Sequence, residues 1–292
     1  MDKRALALAI ILGLVIPWIL FSSREATYKG ETTDETIGST EECVEKRDIM
    51  IPVKFDNGVI QDLPLEAYVI GVIIGEMPAS FSSAALQAQA VVARTFALKC
   101  LRNGSKHTDA AVCTDSSCCQ NYISIEAYER KHGDPTAFEK AVQATAGLVL
   151  VYNDELIEAT YFSCSGGSTE DAVAVWGTDF PYLRAVDSPG EEYAVHHTDT
   201  VTFSEGELEK KLGVKLTGNW LGRITHTAGG GVETIEMGGK SFTGKELRTL
   251  LGLRSTAFTL EDGGEEIHIT TKGFGHRVGM SQYGANALAA QG

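Results

Sequence analysis

An apolar run near the N-terminus constrains this chain more than any other feature of its sequence. Ala5 to Phe21 form 17 residues without a charge, and Asp2, Lys3 and Arg4 precede them. A membrane span needs roughly 17–25 apolar residues, so this run just reaches across a bilayer. Bulky side chains occupy the positions where a signal peptidase requires small ones, which favours an uncleaved anchor over a cleaved signal peptide. The basic residues before the run predict a cytoplasmic N-terminus and an extracytoplasmic remainder.

The anchor suggests a division of the chain into three parts. Residues 1–23 form a cytoplasmic stub and transmembrane helix, and residues 24–47 form a polar tether rich in Glu and Thr. Residues 48–292 form the folded domain. With 25 basic and 39 acidic side chains, the chain has a formal charge of −14 and no net attraction to nucleic acid.

Hydrophobic periodicity and turn signals in the folded part predict a mixture of helices and hairpins, which is typical of an α+β fold. The predicted elements are a strand at 53–60, helices at 65–74, 83–101 and 134–147, and hairpins at 148–162 and 257–271. Gly75 is expected to end the first helix. Two capping boxes, Ser204 with Glu207 and Thr243 with Glu246, each predict a short helix. No internal repeat is apparent, and a glycine-rich stretch at 273–284 leads into a terminal helix.

Glu76 is the first candidate for chemistry, because it lies in a tight break between the first two helices, in the sequence Gly75-Glu76-Met77-Pro78. Partial desolvation at such a place raises the pKa of a carboxyl group. A carboxylic acid that stays protonated near neutral pH can act as a general acid. The alternative is a polar helix-end residue that faces water.

Two later segments combine hydroxyl groups, a histidine and flexible backbone. Residues 163–170 (SCSGGSTE) follow a predicted strand and suit either a polyhydroxyl ligand or a simple turn, and they lack the serine-hydrolase elbow. Residues 273–282 do not match a phosphate loop, and a lone histidine is more often structural than catalytic. The candidate ligand-binding residues, one of them on the second helix, are Gln87, Ser163, Ser165, Gly166, Gly167, Ser168, His276, Ser281 and Gln282.

The cysteines allow two interpretations. Residues 107–119 contain four candidate metal ligands, namely His107, Cys113, Cys118 and Cys119. Imidazole and thiolate are ligands that Zn²⁺ binds tetrahedrally. An even number of cysteines outside the cytoplasm also suggests disulfides, from this loop to Cys100 or Cys164. Neighbouring cysteines cannot easily bind one ion together, so one of the adjacent pair is expected to be left over.

Taken together, these segments resemble the stage II sporulation protein D family. The matching motifs are Gly75-Glu76-Met77-Pro78, residues 84–97 (AALQAQAVVARTFA), residues 163–170 (SCSGGSTE), Pro181-Tyr182-Leu183 and residues 275–285 (GHRVGMSQYGA). They occur in the family's order and at similar intervals, from about residue 50 to the end. A single N-terminal anchor also fits this family.

The resemblance implies lytic transglycosylase activity on the glycan strands of peptidoglycan, preferentially strands without stem peptides. Cleavage between MurNAc and GlcNAc would leave a 1,6-anhydro-MurNAc end. By resemblance, Glu76 matches the catalytic acid and Arg94 matches an arginine of the site. A His-x5-Cys-x5-Cys metal pattern of some members matches His107, Cys113 and Cys119, with Cys118 as the spare neighbour. Zn²⁺ in a structural or positioning role is therefore expected.

The resemblance also implies a cellular setting, which is the sporulating Gram-positive cell. The protein would span the mother-cell membrane once, face the septal wall and act during engulfment. Its partners would be the stage II sporulation proteins P and M.

The chain departs from the family pattern at two places. Arg277 replaces the middle glycine of Gly-His-Gly-Val-Gly-Met-Ser-Gln, and a positive φ at this position would strain any residue other than glycine. The chain also ends at Gly292, inside the predicted terminal helix, whereas family members generally continue by another helix. We therefore expect a shortened or partial C-terminus.

Two other functions compete with the transglycosylase. One is a non-catalytic wall-binding module that enhances an amidase, because the family domain also occurs in such proteins. The other is a zinc hydrolase in which His107 and the cysteines hold a catalytic metal and Glu76 activates water. That reading requires an open coordination position on the metal.

Overall fold

A computed structural model of the chain describes residues 48–292. The predicted anchor at 1–23, the predicted tether at 24–47 and Cys43 lie outside the described residues. The helices are α1 (Leu65–Glu76), α2 (Ser83–Asn103), α3 (Ile125–His132), α4 (Thr136–Ala144), α5 (Ala172–Trp176), α6 (Glu205–Leu212), α7 (Gly244–Leu251) and α8 (Gln282–Ala289). None of them combines the length and the apolar composition that crossing a bilayer requires, within residues 48–292.

The strands are short, and together with the helices they give the expected mixed architecture. They are β1 (Met50–Lys54), β2 (Ile60–Pro64), β3 (Val112–Cys113), β4 (Val151–Tyr152), β5 (Glu155–Leu156), β6 (Tyr161–Phe162), β7 (Thr198–Ser204), β8 (Leu221–His226), β9 (Val232–Met237), β10 (Lys240–Thr243), β11 (Phe258–Asp262), β12 (Glu266–Lys272) and β13 (Met280–Ser281). No sheet exceeds three strands in the described part of the chain.

The first core forms around α1 and α2. Most apolar residues of α1 are buried, Tyr68 and Val72 completely, and they share this core with the predicted stripe of α2. That stripe contains Ala90, Ala93 and Ala97, whose small side chains allow close approach between helices. Helix α4 and the sheet β2-β1-β3 complete the core. The three helices predicted between residues 65 and 147 are therefore confirmed.

Two local predictions at the start of the domain are wrong. The single strand expected at 53–60 is divided between β1 and β2, which pair antiparallel, and Asn57-Gly58 supplies the turn between them. Gly75 does not end α1, which continues through Glu76. A Cβ atom at Gly75 would lie 3.0 Å from the backbone carbonyl of Asn121. The glycine therefore allows a loop to approach the end of α1.

The hairpin around Asn153-Asp154 is confirmed in a shorter form. Strands β4 and β5 pair across these two residues, whose φ angles of 51° and 65° are the positive values that a type I′ turn requires. The second strand of the hairpin predicted at 148–162 is divided into β5 and β6. Only β5 pairs with β4, whereas β6 pairs in parallel with β13. The β6–β13 pair places Tyr161 opposite Met280, next to the start of α8.

The expectation of no internal repeat is wrong for residues 198–272. The series β7-α6-β8-β9 and β10-α7-β11-β12 repeat one order of elements. Both helices begin with the predicted capping box, end at a left-handed glycine and bury two leucines one turn apart. The hairpins of the two repeats differ in sequence, which hides the relationship from simple inspection.

The two repeats exchange strands. The hairpin β8–β9 of the first repeat pairs with β10 of the second, and the hairpin β11–β12 of the second pairs with β7 of the first. The leucines of α6 and α7 lie in one core with residues from both sheets. The duplicated region is thus a second core, separate from that of α1 and α2.

We predict that equivalent leucines of the two repeats contribute similarly to stability. Leu208 and Leu247 are both fully buried, so Leu208→Ala and Leu247→Ala should each lower the free energy of unfolding by about 2–5 kcal/mol. Leu250→Ala, at a position 43% exposed on α7, is the control and should cost less than about 1 kcal/mol. Urea unfolding measures all three. A large loss for only one of the buried leucines would contradict equivalence of the repeats.

Candidate functional site

The carboxyl group of Glu76 lies at the C-terminal end of α1, where three donors from other segments reach it. The backbone N–H of Asn121 and the hydroxyl of Tyr161 donate to Oε1 at 2.8 and 3.0 Å. The side-chain amide of Gln282 donates to Oε2 at 3.4 Å. Burial raises the pKa of Glu76, and these three hydrogen bonds lower it in part. The group can therefore hold a proton at higher pH than an ordinary glutamate does.

Tyr161 connects this carboxyl group to the protein interior. Its hydroxyl accepts a hydrogen bond from the Gln120 side chain at 3.2 Å, and the Tyr68 hydroxyl donates to the same glutamine at 3.3 Å. Burial and the nearby charge of Glu76 raise the pKa of Tyr161 well above its ordinary value. Tyr161 is consequently a protonated donor to Glu76 at any physiological pH.

Tyr161, Gln120 and Asn121 were not among the site residues predicted from the sequence. Tyr161 lies just before the SCSGGSTE segment. A tyrosine hydroxyl on a predicted strand next to this segment could have indicated a site residue. Asn121 acts through its backbone N–H, and its side chain donates to the carbonyl of Gly75 at 2.6 Å. A hydrogen bond from a backbone N–H does not depend on the residue type, so the sequence could not predict the contact between Asn121 and Glu76.

Glu76 opens into a groove of about 430 Å³. Its lining includes the aromatic rings of Phe96, Phe162 and Phe274. Four of the predicted catalytic and ligand-binding residues line the groove together, namely Glu76, Ser163, His276 and Gln282. Glu76 is the only carboxylate among the lining residues in the described part of the chain. An aromatic wall with a few polar groups is the usual composition of a small-molecule or saccharide site.

His276 lines this groove as a neutral side chain. Burial and the nearby charge of Arg248 lower the pKa of His276 to about 4. Its Nδ1 accepts a hydrogen bond from the backbone N–H of Val278 at 3.1 Å, so the proton of the neutral ring is on Nε2. The imidazole can contact or orient a ligand, and it is not charged at neutral pH.

The serine- and glycine-rich segment is largely not part of the groove. Ser165 is fully buried, and both its backbone N–H and its hydroxyl donate to the carboxylate of Glu191, at 2.6 and 2.7 Å. The Ser168 hydroxyl donates to backbone carbonyls, and a Cβ at Gly166 would clash with the backbone of Gly273. Gly167, though exposed, does not line the groove either. None of these four residues lines the groove, because Ser165 and Ser168 use their polar groups to hold the loop itself. Their binding of a sugar stays a prediction.

Gln87 and Ser281 also have other partners. The Gln87 amide donates to the Ser83 hydroxyl on the same helix at 3.0 Å. Ser281 caps α8 and accepts a hydrogen bond from the backbone N–H of Gly284. Neither residue lines the groove. Ser281 instead fixes the start of the helix that presents Gln282 to Glu76.

Arg94 does not contact Glu76, contrary to the prediction that both act in one site. Its guanidinium is fully buried and donates to both carboxylate oxygens of Glu66, at 2.9 and 2.6 Å. It also donates to the carbonyl of Leu148 at 3.1 Å. Glu66 lies in the first turn of α1 and Glu76 at its last residue, so about 15 Å of helix separates them. Arg94 thus joins α2 to the opposite end of α1.

Arg277 has the strained backbone that the family pattern predicted, with φ of 64°. Its buried guanidinium donates to the carbonyls of Ser165, Ser168 and Gly229, at 2.8, 2.7 and 2.7 Å. It also forms an ion pair with the fully buried Glu170 at 3.2 Å. These contacts hold the loop of His276 against the serine-rich segment and against the β8–β9 turn of the duplicated region.

The four predicted metal ligands form one cluster. Their ligand atoms all lie within 4.8 Å of one another, and Nε2 of His107 is 3.7 Å from Sγ of Cys118 and 3.5 Å from Sγ of Cys119. A tetrahedral Zn²⁺ with bonds of about 2.0–2.3 Å holds its ligands about 3.5–3.8 Å apart. The residues present therefore fit such an ion.

The adjacent cysteines differ from expectation, because neither is left out of the cluster. The backbone N–H groups of Cys118 and Cys119 both donate to the carbonyl of Asp115, a tight turn that brings the two sulfur atoms to 4.0 Å. No disulfide links the five cysteines within residues 48–292. Burial raises the pKa of the Cys164 thiol to about 12, so this residue is an inert part of the core.

The cysteine cluster is next in sequence to residues that hold Glu76 and Tyr161. Cys119 is followed by Gln120, which binds Tyr161, and by Asn121, which binds Glu76. Cys119 itself lines the groove. A metal ion on this loop would therefore fix the positions of Asn121, which donates to Glu76, and of Gln120, which donates to Tyr161.

The fold and the site define an α+β protein with one half-buried carboxylic acid in a partly aromatic groove, beside a cluster of thiol and imidazole groups that could hold a metal ion. A family model described as "Stage II sporulation protein" (SpoIID) matches residues 55–152. That segment contains α1, α2 and all four cluster ligands. With the relatives that follow, the chain belongs to the stage II sporulation protein D family.

Two relatives match most of this chain. Stage II sporulation protein D of Bacillus amyloliquefaciens is 39% identical over 280 residues, covering 92% of this chain and 81% of its own length. Stage II sporulation protein D of Bacillus subtilis (strain 168) is 38% identical over 315 residues, covering 100% of this chain and 91% of its own length. The amidase enhancer of Bacillus subtilis (strain 168) is 30% identical over 76% of this chain and 37% of its own length.

We predict that Cys118 is a ligand of the cluster. Cys118→Ser should lower the affinity for Zn²⁺ by more than about tenfold, because a hydroxyl replaces a thiolate. Competition with a chromophoric chelator measures this affinity, and Cys100→Ser, outside the cluster, is the control. An unchanged affinity in Cys118→Ser would mean that His107, Cys113 and Cys119 hold the metal without it.

Proposed function

We propose that this protein is a lytic transglycosylase that cleaves the MurNAc–GlcNAc bonds of peptide-free peptidoglycan strands and forms 1,6-anhydro-MurNAc ends. The observation that carries this proposal is the single carboxyl group of the groove. Hydrolytic glycosidases use two carboxyl groups, one as acid and one as base or nucleophile. A transglycosylase that uses the sugar's own hydroxyl as nucleophile requires only one.

In the proposed reaction, Glu76 acts twice. Its carboxylic acid first donates a proton to the glycosidic oxygen, and the bond from that oxygen to C1 of MurNAc breaks. The resulting carboxylate then accepts the proton of the C6 hydroxyl of the same MurNAc, while the C6 oxygen bonds to C1. Protons balance, because Glu76 ends the cycle protonated, and no water molecule is consumed.

The hydrogen bonds to Glu76 suit both steps. Burial favours the protonated form that the first step needs. The donors Asn121, Tyr161 and Gln282 favour the carboxylate that the first step leaves behind. These opposing effects keep the two states of the side chain close in free energy, which is a requirement for a group that alternates between acid and base.

A metal on the cysteine cluster would serve structure in this scheme. His107, Cys113, Cys118 and Cys119 would together supply four protein ligands to Zn²⁺, and the ion would then act as a rigid cross-link of this loop. This ligand set favours the transglycosylase over the zinc-hydrolase alternative. The loop so fixed carries Gln120 and Asn121 to Glu76 and its tyrosine partner.

We place this activity in the sporulating cell, at the septal wall during engulfment. The apolar run at 5–21 supports a single-pass protein of the mother-cell membrane, with a cytoplasmic N-terminus and an extracytoplasmic groove. Stage II sporulation proteins P and M are the proposed partners. Similarity to an amidase enhancer favours one other candidate, a non-catalytic module that binds the wall and stimulates an amidase.

The role of Glu76 is tested by the products of glycan digestion. The unmodified full chain should release 1,6-anhydro-MurNAc ends from peptide-free strands, and mass spectrometry detects these ends. The Glu76→Gln variant should react about 10²–10⁴-fold more slowly, because the amide cannot donate or accept the proton. Glu155→Gln, at an exposed position of β5, is the matched control and should retain activity.

Two results would count against this assignment. Equal yields of anhydro ends from Glu76→Gln would place the acid elsewhere. Absence of anhydro ends from the unmodified chain, together with stimulation of a wall amidase, would favour the non-catalytic module.

The pH dependence of the reaction should report the Tyr161 hydrogen bond. Cleavage requires protonated Glu76, so its rate should fall as pH rises through the raised pKa of that group. Tyr161→Phe removes a hydrogen bond that stabilises the carboxylate, so the pKa should rise further and the alkaline limb of kcat/KM should move to higher pH. Tyr152→Phe, at an exposed tyrosine, should leave the limb in place. A limb that moved to lower pH in Tyr161→Phe would contradict the proposed contact.

A further inference from the structure

A second cavity adjoins the groove of Glu76. This side cavity has a volume of about 270 Å³, and Phe96 and Cys119 line both it and the groove. Its apolar lining includes Phe96, Ile157 and Ala159, and its polar lining includes Lys99, Lys106 and Glu158. A ligand that occupies the groove can therefore extend a small group with one apolar face and one charged end into the side cavity.

Lys106 is the cation of this region that has no carboxylate partner within residues 48–292. Lys99 is neutralised by Glu158, at 2.6 Å. The ammonium group of Lys106 donates to the carbonyl of Cys118 at 2.7 Å and forms no ion pair within residues 48–292. No other lysine or arginine lines the groove or the side cavity. In a chain of net charge −14, a lysine without a carboxylate partner in a cavity beside the groove can attract an anionic ligand.

Peptidoglycan strands carry such a group on every MurNAc. The D-lactyl ether of this sugar has a methyl group and a carboxyl group. When a stem peptide is attached, the carboxyl is a neutral amide. When the peptide is absent, it is a free carboxylate, so the lactyl group then has one apolar face and one negative end.

We propose that Lys106 determines specificity by binding the free lactyl carboxylate of peptide-free MurNAc, whose methyl group packs on the apolar lining of the side cavity. The inference rests on the proposed function, since it assumes that a glycan strand occupies the groove. A charge-assisted hydrogen bond from Lys106 is available to the carboxylate and is lost when an amide replaces it. An attached stem peptide would in addition have to leave past Lys106 and the cysteine loop.

The test measures binding without reaction. The full chain with Glu76→Gln is titrated with three tetrasaccharides by calorimetry: alternating GlcNAc–MurNAc with free lactyl carboxylates, the same compound with lactyl carboxamides, and chitotetraose. We expect the acid form to bind roughly fivefold or more tightly than the amide, as a charge-assisted hydrogen bond predicts. The preference should shrink at high salt, because Lys106 is exposed to solvent.

Substitutions then assign the preference to one residue. Lys106→Gln in the same background should bind the acid and the amide equally, with unchanged affinity for chitotetraose, and Lys106→Arg should retain the preference. Lys245→Gln, an exposed lysine of α7 that makes the same change in net charge, should retain it too. Zinc content is measured for every variant, because Lys106 adjoins His107 and contacts the cysteine loop.

Each outcome bears on one proposal only. Equal binding of acid and amide by the Glu76→Gln chain, or a preference that survives Lys106→Gln at normal zinc content, would overturn the role of Lys106 even if anhydro ends are formed. A preference that depends on Lys106, without anhydro ends from the unmodified chain, would support carboxylate recognition and overturn the transglycosylase.

Discussion

The candidate site depends on the three hydrogen bonds that the carboxyl group of Glu76 receives. Glu76 receives hydrogen bonds from Asn121, Tyr161 and Gln282, which are 45, 85 and 206 positions away in the chain. The loop after the cysteine cluster, strand β6 and helix α8 must all dock on the end of α1 before the group acquires its partners. The site therefore forms only in the folded domain. There, burial raises the pKa of Glu76 and the hydrogen bonds lower it.

Other buried charges hold the surrounding segments without taking part in the groove. Arg94 joins α2 to the start of α1 through Glu66, and Glu191 holds the serine-rich loop through Ser165. Arg277 accepts a left-handed backbone, which costs about 1–3 kcal/mol, and its side chain makes four contacts with the loops around it. One of those contacts reaches Gly229, so the duplicated region helps to position the loop that carries His276.

In the duplicated region, local sequence patterns predicted the two helices correctly, but they did not predict how the strands of the two repeats pair. Both capping boxes and both leucine pairs were readable from the sequence, since each depends on residues three or four positions apart. The exchange of strands between the repeats depends on which hairpin meets which strand. That choice is made by packing in the shared core, where no short sequence pattern records it.

The sequence by itself determined the mixed fold, the helices of the first core and the family, and it indicated the candidate acid Glu76 and the group of possible metal ligands, although not that Cys118 and Cys119 both join that group. These follow from residue types at short spacing, which local conformation and side-chain chemistry fix directly. Only the tertiary structure decided that Tyr161 and Asn121 hold the acid, that Arg94 lies at the far end of α1, and that Ser165 faces Glu191. The reason is physical: hydrogen bonds between distant segments depend on how whole helices and loops pack, and many sequences can make the same contact, including through the backbone alone.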